Sequence, residues 1–122
     1  MSPEYCISHK RELSKTEREL IVFLLTDSGF SELLPSVKHL KVVARCGCGV
    51  CPTVLLGTSL TSEAILNASD ITRYLGTMSN GTKVGVALMA QGSQLTELEA
   101  WSVCGGEFST WPEIGTLECI NT

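Results

Sequence analysis

An Asn-Gly pair, Asn80 and Gly81, is the feature that most constrains how this chain can fold. The pair separates two runs, residues 71–78 and 83–90, that are rich in β-branched and apolar side chains. Asparagine and glycine both tolerate the positive φ angles of a type I′ turn, which joins two antiparallel strands. The sequence therefore predicts a β-hairpin with a type I′ turn, and with it an antiparallel sheet.

A second hairpin is predicted around the cysteine-rich centre of the chain. Residues 38–46 and 53–57 have the apolar and β-branched composition of strands. Between them, Gly47, Cys48 and Gly49 make a short and flexible turn. We expect the tip of this hairpin to bring the nearby cysteines together.

A further strand is predicted over residues 94–103, where Glu97 and Glu99 alternate with apolar residues. Leu95 breaks this alternation, because it lies three residues before Leu98, and it requires a β-bulge or an irregular entry to the strand. A helix is the competing interpretation of the same residues.

Helical signals are concentrated near the N-terminus. Ser14 and Glu17 have the spacing of a capping box, in which two residues satisfy free backbone N–H groups at a helix start. A broad apolar stripe follows, and Gly29 is placed to end the helix in a left-handed conformation. We predict a helix over residues 15–28 and an irregular lead-in over residues 1–9.

Three other segments have weaker signals. Residues 31–34 allow one short helical turn, limited by Pro35, which disfavours helical geometry at the residue before it. Residues 61–67 form either a short helix or a connecting loop, and the chain after Gly106 is expected to wrap back over the core. The predicted fold class is α+β, with the N-terminal helix packed on an antiparallel sheet of about four to five strands in a single domain, residues 1–122.

With 122 residues, 43% of them hydrophobic and 18% charged, the chain is long enough for one globular core. Its apolar runs are shorter than the roughly 18 to 20 residues that cross a bilayer. Its N-terminus lacks the pattern of a secretory signal. We therefore expect a cytoplasmic protein that has no membrane partner.

Charge is distributed unevenly along the chain. Residues 1–45 carry seven Lys and Arg against six Asp and Glu, whereas residues 46–122 carry two against seven. The net charge of −4 argues against nucleic-acid binding, which needs clustered Lys and Arg to contact phosphates. It favours a basic protein partner, although carboxylates that only keep the surface hydrated explain the same counts.

Six cysteines are present, and three of them, Cys46, Cys48 and Cys51, form a C-x-C-x-x-C cluster. Thiolates are preferred ligands of zinc, so the cluster is a candidate metal site in a chain with no other cofactor motif. A tetrahedral site needs a fourth ligand, for which the candidates are Cys104, Cys119, His39 and His9. The alternative is that the cysteines pack as small apolar residues, as free cysteines commonly do.

Cys48 and Cys51 also have the C-x-x-C spacing of redox proteins. In those proteins the reactive thiolate lies at a helix N-terminus, which stabilises it. Here the residues after Pro52 have the composition of a strand, so we do not favour a redox enzyme. Familiar nucleotide-binding and hydrolase motifs do not occur in the sequence, and we expect a protein that is not an enzyme and has no catalytic residue.

An acidic stripe is predicted on the last of these strands. Glu97 and Glu99 lie two residues apart and so point to the same face, together with Trp101. An aromatic side chain beside carboxylates suits a contact with Lys or Arg of a partner. Glu107 and Trp111 extend this predicted partner-binding surface, whereas the simpler interpretation is a hydrated face of the sheet.

Three stretches carry a resemblance across nearly the whole chain. They begin at Lys10, Arg45 and Leu95 and read KRELSKTEREL, RCGCGVCPT and LTELEAWS. Their order and spacing resemble a group of small uncharacterised bacterial proteins with an RCGCGCPT-like centre and a GxLxxLExWS-like strand. This chain departs from that centre because Val50 stands before Cys51. The resemblance implies no particular activity.

By type, the size, acidity and α+β form are similar to those of bacterial immunity proteins, which bind and neutralise a toxin made by neighbouring or sister cells. We therefore predict an immunity protein that occludes the active or substrate-binding surface of a cognate, basic toxin. The alternative is a small zinc-binding or metal-sensing domain built on Cys46, Cys48 and Cys51.

Overall fold

The structure is a computed structural model that describes residues 6–48, 50–66, 68–103, 105 and 108–120. Its elements in chain order are β1 (Cys6–Glu12), α1 (Lys15–Ser28), a 3-10 helix (Ser31–His39), β2 (Lys41–Cys46), β3 (Val54–Gly57), β4 (Ser69–Thr77), β5 (Lys83–Gln91), β6 (Gln94–Ser102), a 3-10 turn (Ile114–Thr116) and β7 (Glu118–Cys119). The five strands predicted from the sequence correspond to β2 through β6.

Among the described residues, seven strands form one sheet in the order β1-β2-β3-β6-β5-β4-β7, and every neighbouring pair is antiparallel. The predicted α+β class is confirmed, whereas the predicted number of about four to five strands is too low. The two missed strands, β1 and β7, lie at the edges of the sheet. They bury few side chains and so lack the apolar alternation that reveals a strand. The predicted irregular lead-in is therefore wrong for residues 6–9.

Helix α1 has the predicted bounds and both predicted caps. The Ser14 hydroxyl accepts a hydrogen bond from the Glu17 N–H at 3.1 Å, and the Glu17 carboxylate accepts one from the Ser14 N–H at 2.8 Å. Gly29 follows the helix with φ 88°, which glycine adopts without strain. No helix in the described part of the chain is long and apolar enough to cross a membrane.

The segment after α1 differs from the prediction. A 3-10 helix spans Ser31–His39, so the expected short turn continues through Pro35 and does not end before it. The proline ring fixes φ near the value of a 3-10 helix and removes only one N–H donor, which a short 3-10 segment tolerates. Because this segment extends to His39, β2 begins at Lys41, later than the sequence predicts.

Side chains from α1 and from one face of the sheet form a single hydrophobic cluster, called here the main core. Its buried members include Leu20, Ile21, Leu24 and Leu25 from the helix, and Val42, Leu56, Tyr74, Val86, Leu88 and Leu98 from the strands. The rings of Tyr74 and Phe23 pack edge to face, with their centroids 5.9 Å apart. The Tyr74 hydroxyl donates a hydrogen bond to the Asp27 carboxylate at 2.6 Å. Burying one large apolar side chain contributes roughly 1.5 to 3 kcal/mol to the free energy of unfolding. The many buried side chains of the main core therefore supply most of the stability of the fold.

The hairpin of β4 and β5 is confirmed, but its turn is not the predicted type I′. Gly81 has φ 87°, whereas no described residue other than glycine has a positive φ, so Asn80 does not adopt the required angle. The Met78 carbonyl accepts from the Gly81 N–H at 2.9 Å, and the Met78 N–H donates to the Thr82 carbonyl at 2.8 Å. This pattern matches a three-residue loop in which a left-handed glycine follows the turn.

The pairing of β5 with β6 contains the irregularity predicted from Leu95. Ala90 lies opposite Leu95 and Met89 lies opposite Glu97, so Thr96 is an extra residue in β6. This is a β-bulge, and it confirms both the strand and its irregular entry.

Residues 61–66 form a connecting loop, which settles the choice left open by the sequence for the described part of that segment. Ala64 in this loop packs against Val43, Ala44 and Leu55, a second and smaller cluster of buried residues. The loop therefore contributes to a second apolar cluster outside the main core.

Candidate metal centre

The hairpin of β2 and β3 brings the three central cysteines together. Cys46 ends β2, and its backbone N–H donates to the Thr53 carbonyl at 3.3 Å across the hairpin. Cys48 and Cys51 lie in the tip between the two strands. The sulfur atoms of all three cysteines lie within 4.8 Å of one another, which confirms the predicted clustering.

The spacing of the three sulfur atoms is close to that of metal-bound cysteines. A tetrahedral zinc ion with Zn–S bonds of about 2.3 Å holds its sulfur ligands about 3.8 Å apart. The sulfur atoms of Cys48 and Cys51 are 3.4 Å apart, so they need to move apart by only about 0.4 Å to bind one zinc ion. Cys48 is exposed, and Cys46 and Cys51 are partly buried, so an ion can enter from solvent. The three residues are therefore near enough to hold a metal.

Backbone N–H groups stabilise negative charge on Cys48. The N–H groups of Cys51 and Val50 donate to the Cys48 sulfur at 3.3 Å and 3.4 Å. These hydrogen bonds lower the pKa of Cys48 to about 7. A substantial fraction of Cys48 is therefore thiolate near neutral pH, and the thiolate is the form that binds metals.

Cys46, in contrast, favours the neutral thiol over the thiolate. Burial raises the pKa of Cys46 to about 12, and hydrogen bonds with the Cys48 and Cys51 sulfur atoms also favour the neutral thiol. Without a metal, the cluster thus places a neutral thiol beside the Cys48 thiolate. A metal ion that binds all three sulfur atoms must displace the Cys46 proton.

A chain of hydrogen bonds ties the cluster to the centre of the sheet. The Cys51 sulfur lies 3.5 Å from the Thr53 hydroxyl, to which it donates. That hydroxyl accepts from the Ala100 N–H at 2.9 Å and donates to the Ala100 carbonyl at 3.2 Å. The sequence alone does not identify Thr53 as part of the site, because its role depends on the pairing of β3 with β6.

The structure narrows the candidates for a fourth ligand. Cys119 lies in β7, four strands from β3, or about 19 Å at the usual strand spacing. His39 lies before β2, at the end of that strand opposite the cluster. The Nε2 atom of His9 already accepts a hydrogen bond from Arg11 Nε at 3.1 Å, so this atom is not available as a metal ligand. Cys104 lies outside the described residues.

The predicted acidic stripe is only partly exposed. Glu97, Glu99 and Trp101 alternate along β6 and share one face, as predicted. Glu97, however, is 2% exposed, so it adds nothing to an acidic surface, whereas Glu99 is partly exposed. Burial raises the pKa of Glu99, and the negative charge of Asp70 raises it further. Asp70, from β4, is a neighbour that the sequence does not reveal.

Trp101 and Trp111 do not form one surface. Trp101 lies over Gly85 of β5, where an added Cβ would be 2.0 Å from the Trp101 Cε2 atom. Trp111 packs against the main core, on the other face of the sheet. A glycine inside a strand often marks a position where another group packs closely against the backbone. Gly85 is therefore a sequence signal for the position of Trp101. Glu107, the remaining predicted contact, lies outside the described residues.

Comparisons with family models, curated proteins and solved structures found no match to this chain. The resemblance to the RCGCGCPT proteins therefore rests on the three sequence stretches alone.

Proposed function

We propose that this chain is a small zinc-binding domain in which Cys46, Cys48 and Cys51 are ligands. The observation that carries the proposal is the spacing of the three sulfur atoms, which lie within 4.8 Å of one another. Thiolate ligands favour zinc over magnesium or calcium, which prefer oxygen. The fourth position of the tetrahedral ion belongs to water or to a further side chain.

The surroundings of the sulfur atoms support this proposal. Three thiolates carry more negative charge than one zinc ion neutralises, and the Val50 and Cys51 N–H groups offset part of the excess. The Thr53 hydroxyl lies 3.5 Å from the Cys51 sulfur and can turn to donate to it once zinc replaces the thiol proton. Outer hydrogen bonds of this kind orient ligands and commonly change metal affinity by about 10-fold to 100-fold.

The simplest role for zinc here is structural. Cys46 and Thr53 make a backbone hydrogen bond at the base of the hairpin tip. An ion shared by Cys46, Cys48 and Cys51 would fix the tip to the end of β2. The free energy of metal binding then adds to the stability of the folded chain.

Metal titration tests the proposal. Metal-free protein is expected to bind one Zn²⁺, and to give thiolate-to-cobalt absorption bands with Co²⁺. Replacing Cys46, Cys48 or Cys51 by serine should each weaken zinc binding by at least about 100-fold. Cys119→Ser is the matched control and should keep the original affinity, because Cys119 lies at the far edge of the sheet. Folded protein without stoichiometric metal binding would refute the proposal, as would an equal loss in the control.

A second candidate function, neutralisation of a basic toxin by an immunity protein, is favoured by one feature of the sheet. Glu99, Asp70 and Trp101 line a cavity of about 340 Å³, and Asp70 raises the pKa of Glu99. A Lys or Arg side chain of a partner would relieve this repulsion and contact the Trp101 ring. Arg73 lies at the same cavity, 3.6 Å from Asp70, and offsets part of the negative charge.

Native mass spectrometry of the protein captured from its source cells at low salt tests the second candidate. The expected result is a stoichiometric complex with a basic protein that is toxic when expressed alone. Glu99→Lys should weaken this complex by at least about tenfold, whereas Glu118→Lys, exposed at the sheet edge, should not. Unchanged affinity of the Glu99→Lys variant would refute a role for this face.

A further inference from the structure

Cys48 and Cys51 are placed to form a disulfide bond. Their sulfur atoms are 3.4 Å apart, and a disulfide bond is about 2.05 Å long, so the two atoms must approach by about 1.4 Å. Both residues lie in the hairpin tip, beyond the backbone hydrogen bond between Cys46 and Thr53. The tip can therefore adjust without breaking a cross-strand pair.

Cys48 is the sulfur atom that an oxidant reaches first. Cys48 is exposed, whereas Cys51 is only partly exposed. The N–H groups of Val50 and Cys51 hold the Cys48 sulfur at 3.4 Å and 3.3 Å and favour its nucleophilic thiolate form. Both cysteines also line a cavity of about 460 Å³, together with Trp101 and Phe108, which admits a molecule as small as a hydroperoxide.

We propose that hydrogen peroxide oxidises the metal-free pair of Cys48 and Cys51 to a disulfide, and that this disulfide and a bound metal exclude each other. The Cys48 thiolate attacks one peroxide oxygen, the O–O bond breaks, and hydroxide leaves and takes up a proton to become water. Cys48 is then a sulfenic acid.

The Cys51 thiol completes the reaction by attacking the Cys48 sulfur. The S–S bond forms, the S–O bond breaks, and the oxygen leaves as water with the Cys51 proton. In total, two thiols lose two electrons and two protons, and one peroxide becomes two water molecules. Cys46 takes no part in these steps.

Mutual exclusion with metal follows from the ligand count and rests on the proposed function. The disulfide consumes two of the three clustered sulfur atoms and leaves only Cys46. Conversely, a bound ion occupies the Cys48 sulfur lone pairs that attack the peroxide. The oxidation itself does not depend on zinc.

Peptide mapping by mass spectrometry tests the inference on full-length, metal-free protein treated with hydrogen peroxide. We expect a peptide linked through Cys48 and Cys51, together with loss of zinc binding that a reductant reverses. Cys46→Ser should form the same disulfide. The double variant Cys46→Ser with Cys51→Ser has no neighbouring thiol in the cluster and should instead accumulate a sulfenic acid on Cys48, which dimedone traps. Prior loading with zinc should slow disulfide formation by on the order of tenfold.

The outcomes separate this inference from the proposed function. A protein that binds zinc but forms no disulfide between Cys48 and Cys51 overturns the inference alone. A disulfide that forms equally fast with zinc bound overturns the mutual exclusion. A protein that forms the disulfide but binds no zinc refutes the proposed function and the exclusion, while the dithiol reaction stands. Cys119→Ser removes an exposed thiol and should behave as the unmodified chain does.

Discussion

Arg11 and Glu17 form a bidentate ion pair that joins β1 to the first turn of α1. Arg11 Nη1 donates to Glu17 Oε1 at 2.8 Å, and Nη2 donates to Oε2 at 2.7 Å. The same carboxylate accepts from the Ser14 N–H, so Glu17 completes the capping box and also anchors an edge strand. Its side chain is 6% exposed, so most of its interaction with Arg11 takes place away from water.

Replacing Glu17 by glutamine is expected to destabilise the fold by about 1 to 2 kcal/mol. Glutamine can still accept from the Ser14 N–H, but it has no charge and can accept only one of the two hydrogen bonds from Arg11. Urea denaturation measures the change. Glu19→Gln is the matched control, on an exposed position of the same helix, and should change stability by less than about 0.5 kcal/mol. Equal effects of the two substitutions would contradict the prediction.

The contribution of Glu17 to stability should also depend on pH. Burial by itself raises the pKa of Glu17, but hydrogen bonds from Arg11 and Ser14 outweigh it, so the pKa in the folded state lies below the usual 4.5. As the pH falls, the unfolded chain is protonated first. The contribution is therefore complete above about pH 5.5 and is lost as the pH falls through the folded pKa. Denaturation of the unmodified chain and of Glu17→Gln should show a stability gap that narrows below about pH 4.5, and a constant gap would argue against it.

Elements whose signals lie within their own residues could be predicted from the sequence. Helix α1 is determined by Ser14 and Glu17 at one end and Gly29 at the other, so the sequence predicts its bounds correctly. The sequence does not predict strand β1, because its position depends on pairing with β2, far along the chain, and on the contact between Arg11 and Glu17. Neither relationship leaves a local pattern.

The candidate site also contains features that the sequence predicts and features that depend on long-range packing. The cysteines of one short hairpin tip were expected to cluster, and they do. Glu97 and Glu99 are indistinguishable in the sequence, but Glu97 lies between Leu55 of β3 and Met89 of β5, and it is buried. The order of the strands decides this difference, and that order follows from long-range packing that no short motif encodes.

A side chain added at Gly85 is expected to displace the Trp101 ring and to lower the stability of the fold. In Gly85→Ala, the new Cβ would lie 2.0 Å from Trp101 Cε2, so the ring must move, at a cost of about 1 to 3 kcal/mol. Gly115→Ala is the matched control, because nothing lies within 4 Å of a Cβ at Gly115. Urea denaturation compares the two variants. Combining Gly85→Ala with Trp101→Val should remove most of the cost, and a cost that persists would contradict the steric explanation.

Alkylation of Cys48 in metal-free protein should follow the pKa of about 7. Iodoacetamide reacts with the thiolate, so the rate should reach half of its plateau near that pH. A cysteine without the two N–H donors would reach it near the usual value of 9.0. Peptide mapping after short reaction times gives the rate for Cys48 separately from the other cysteines. A half-maximal rate close to the usual value would show that the Val50 and Cys51 N–H groups do not stabilise the thiolate.

Two buried threonines test how hydrogen bonds support the centre of the sheet. The Thr53 hydroxyl bonds to both the N–H and the carbonyl of Ala100, next to the two register pairs of β3 with β6. The Thr96 hydroxyl is buried and has no hydrogen-bond partner among the described residues. Valine has nearly the same shape as threonine, so Thr53→Val and Thr96→Val remove a hydroxyl with little change in packing.

The two substitutions should have opposite effects on stability. Thr53→Val leaves two buried backbone groups of Ala100 without partners and should cost about 1 to 3 kcal/mol. Thr96→Val removes an unsatisfied buried hydroxyl and should be neutral or stabilise the fold by up to about 1 kcal/mol. When zinc replaces the Cys51 thiol proton, the Thr53 hydroxyl must turn from the Ala100 carbonyl to donate to the Cys51 sulfur. Thr53→Val should therefore weaken zinc binding by up to about tenfold, whereas Thr96→Val should not. Equal losses of stability would show that the hydroxyl of Thr53 does not join β3 to β6, and unchanged zinc affinity would place Thr53 outside the metal centre.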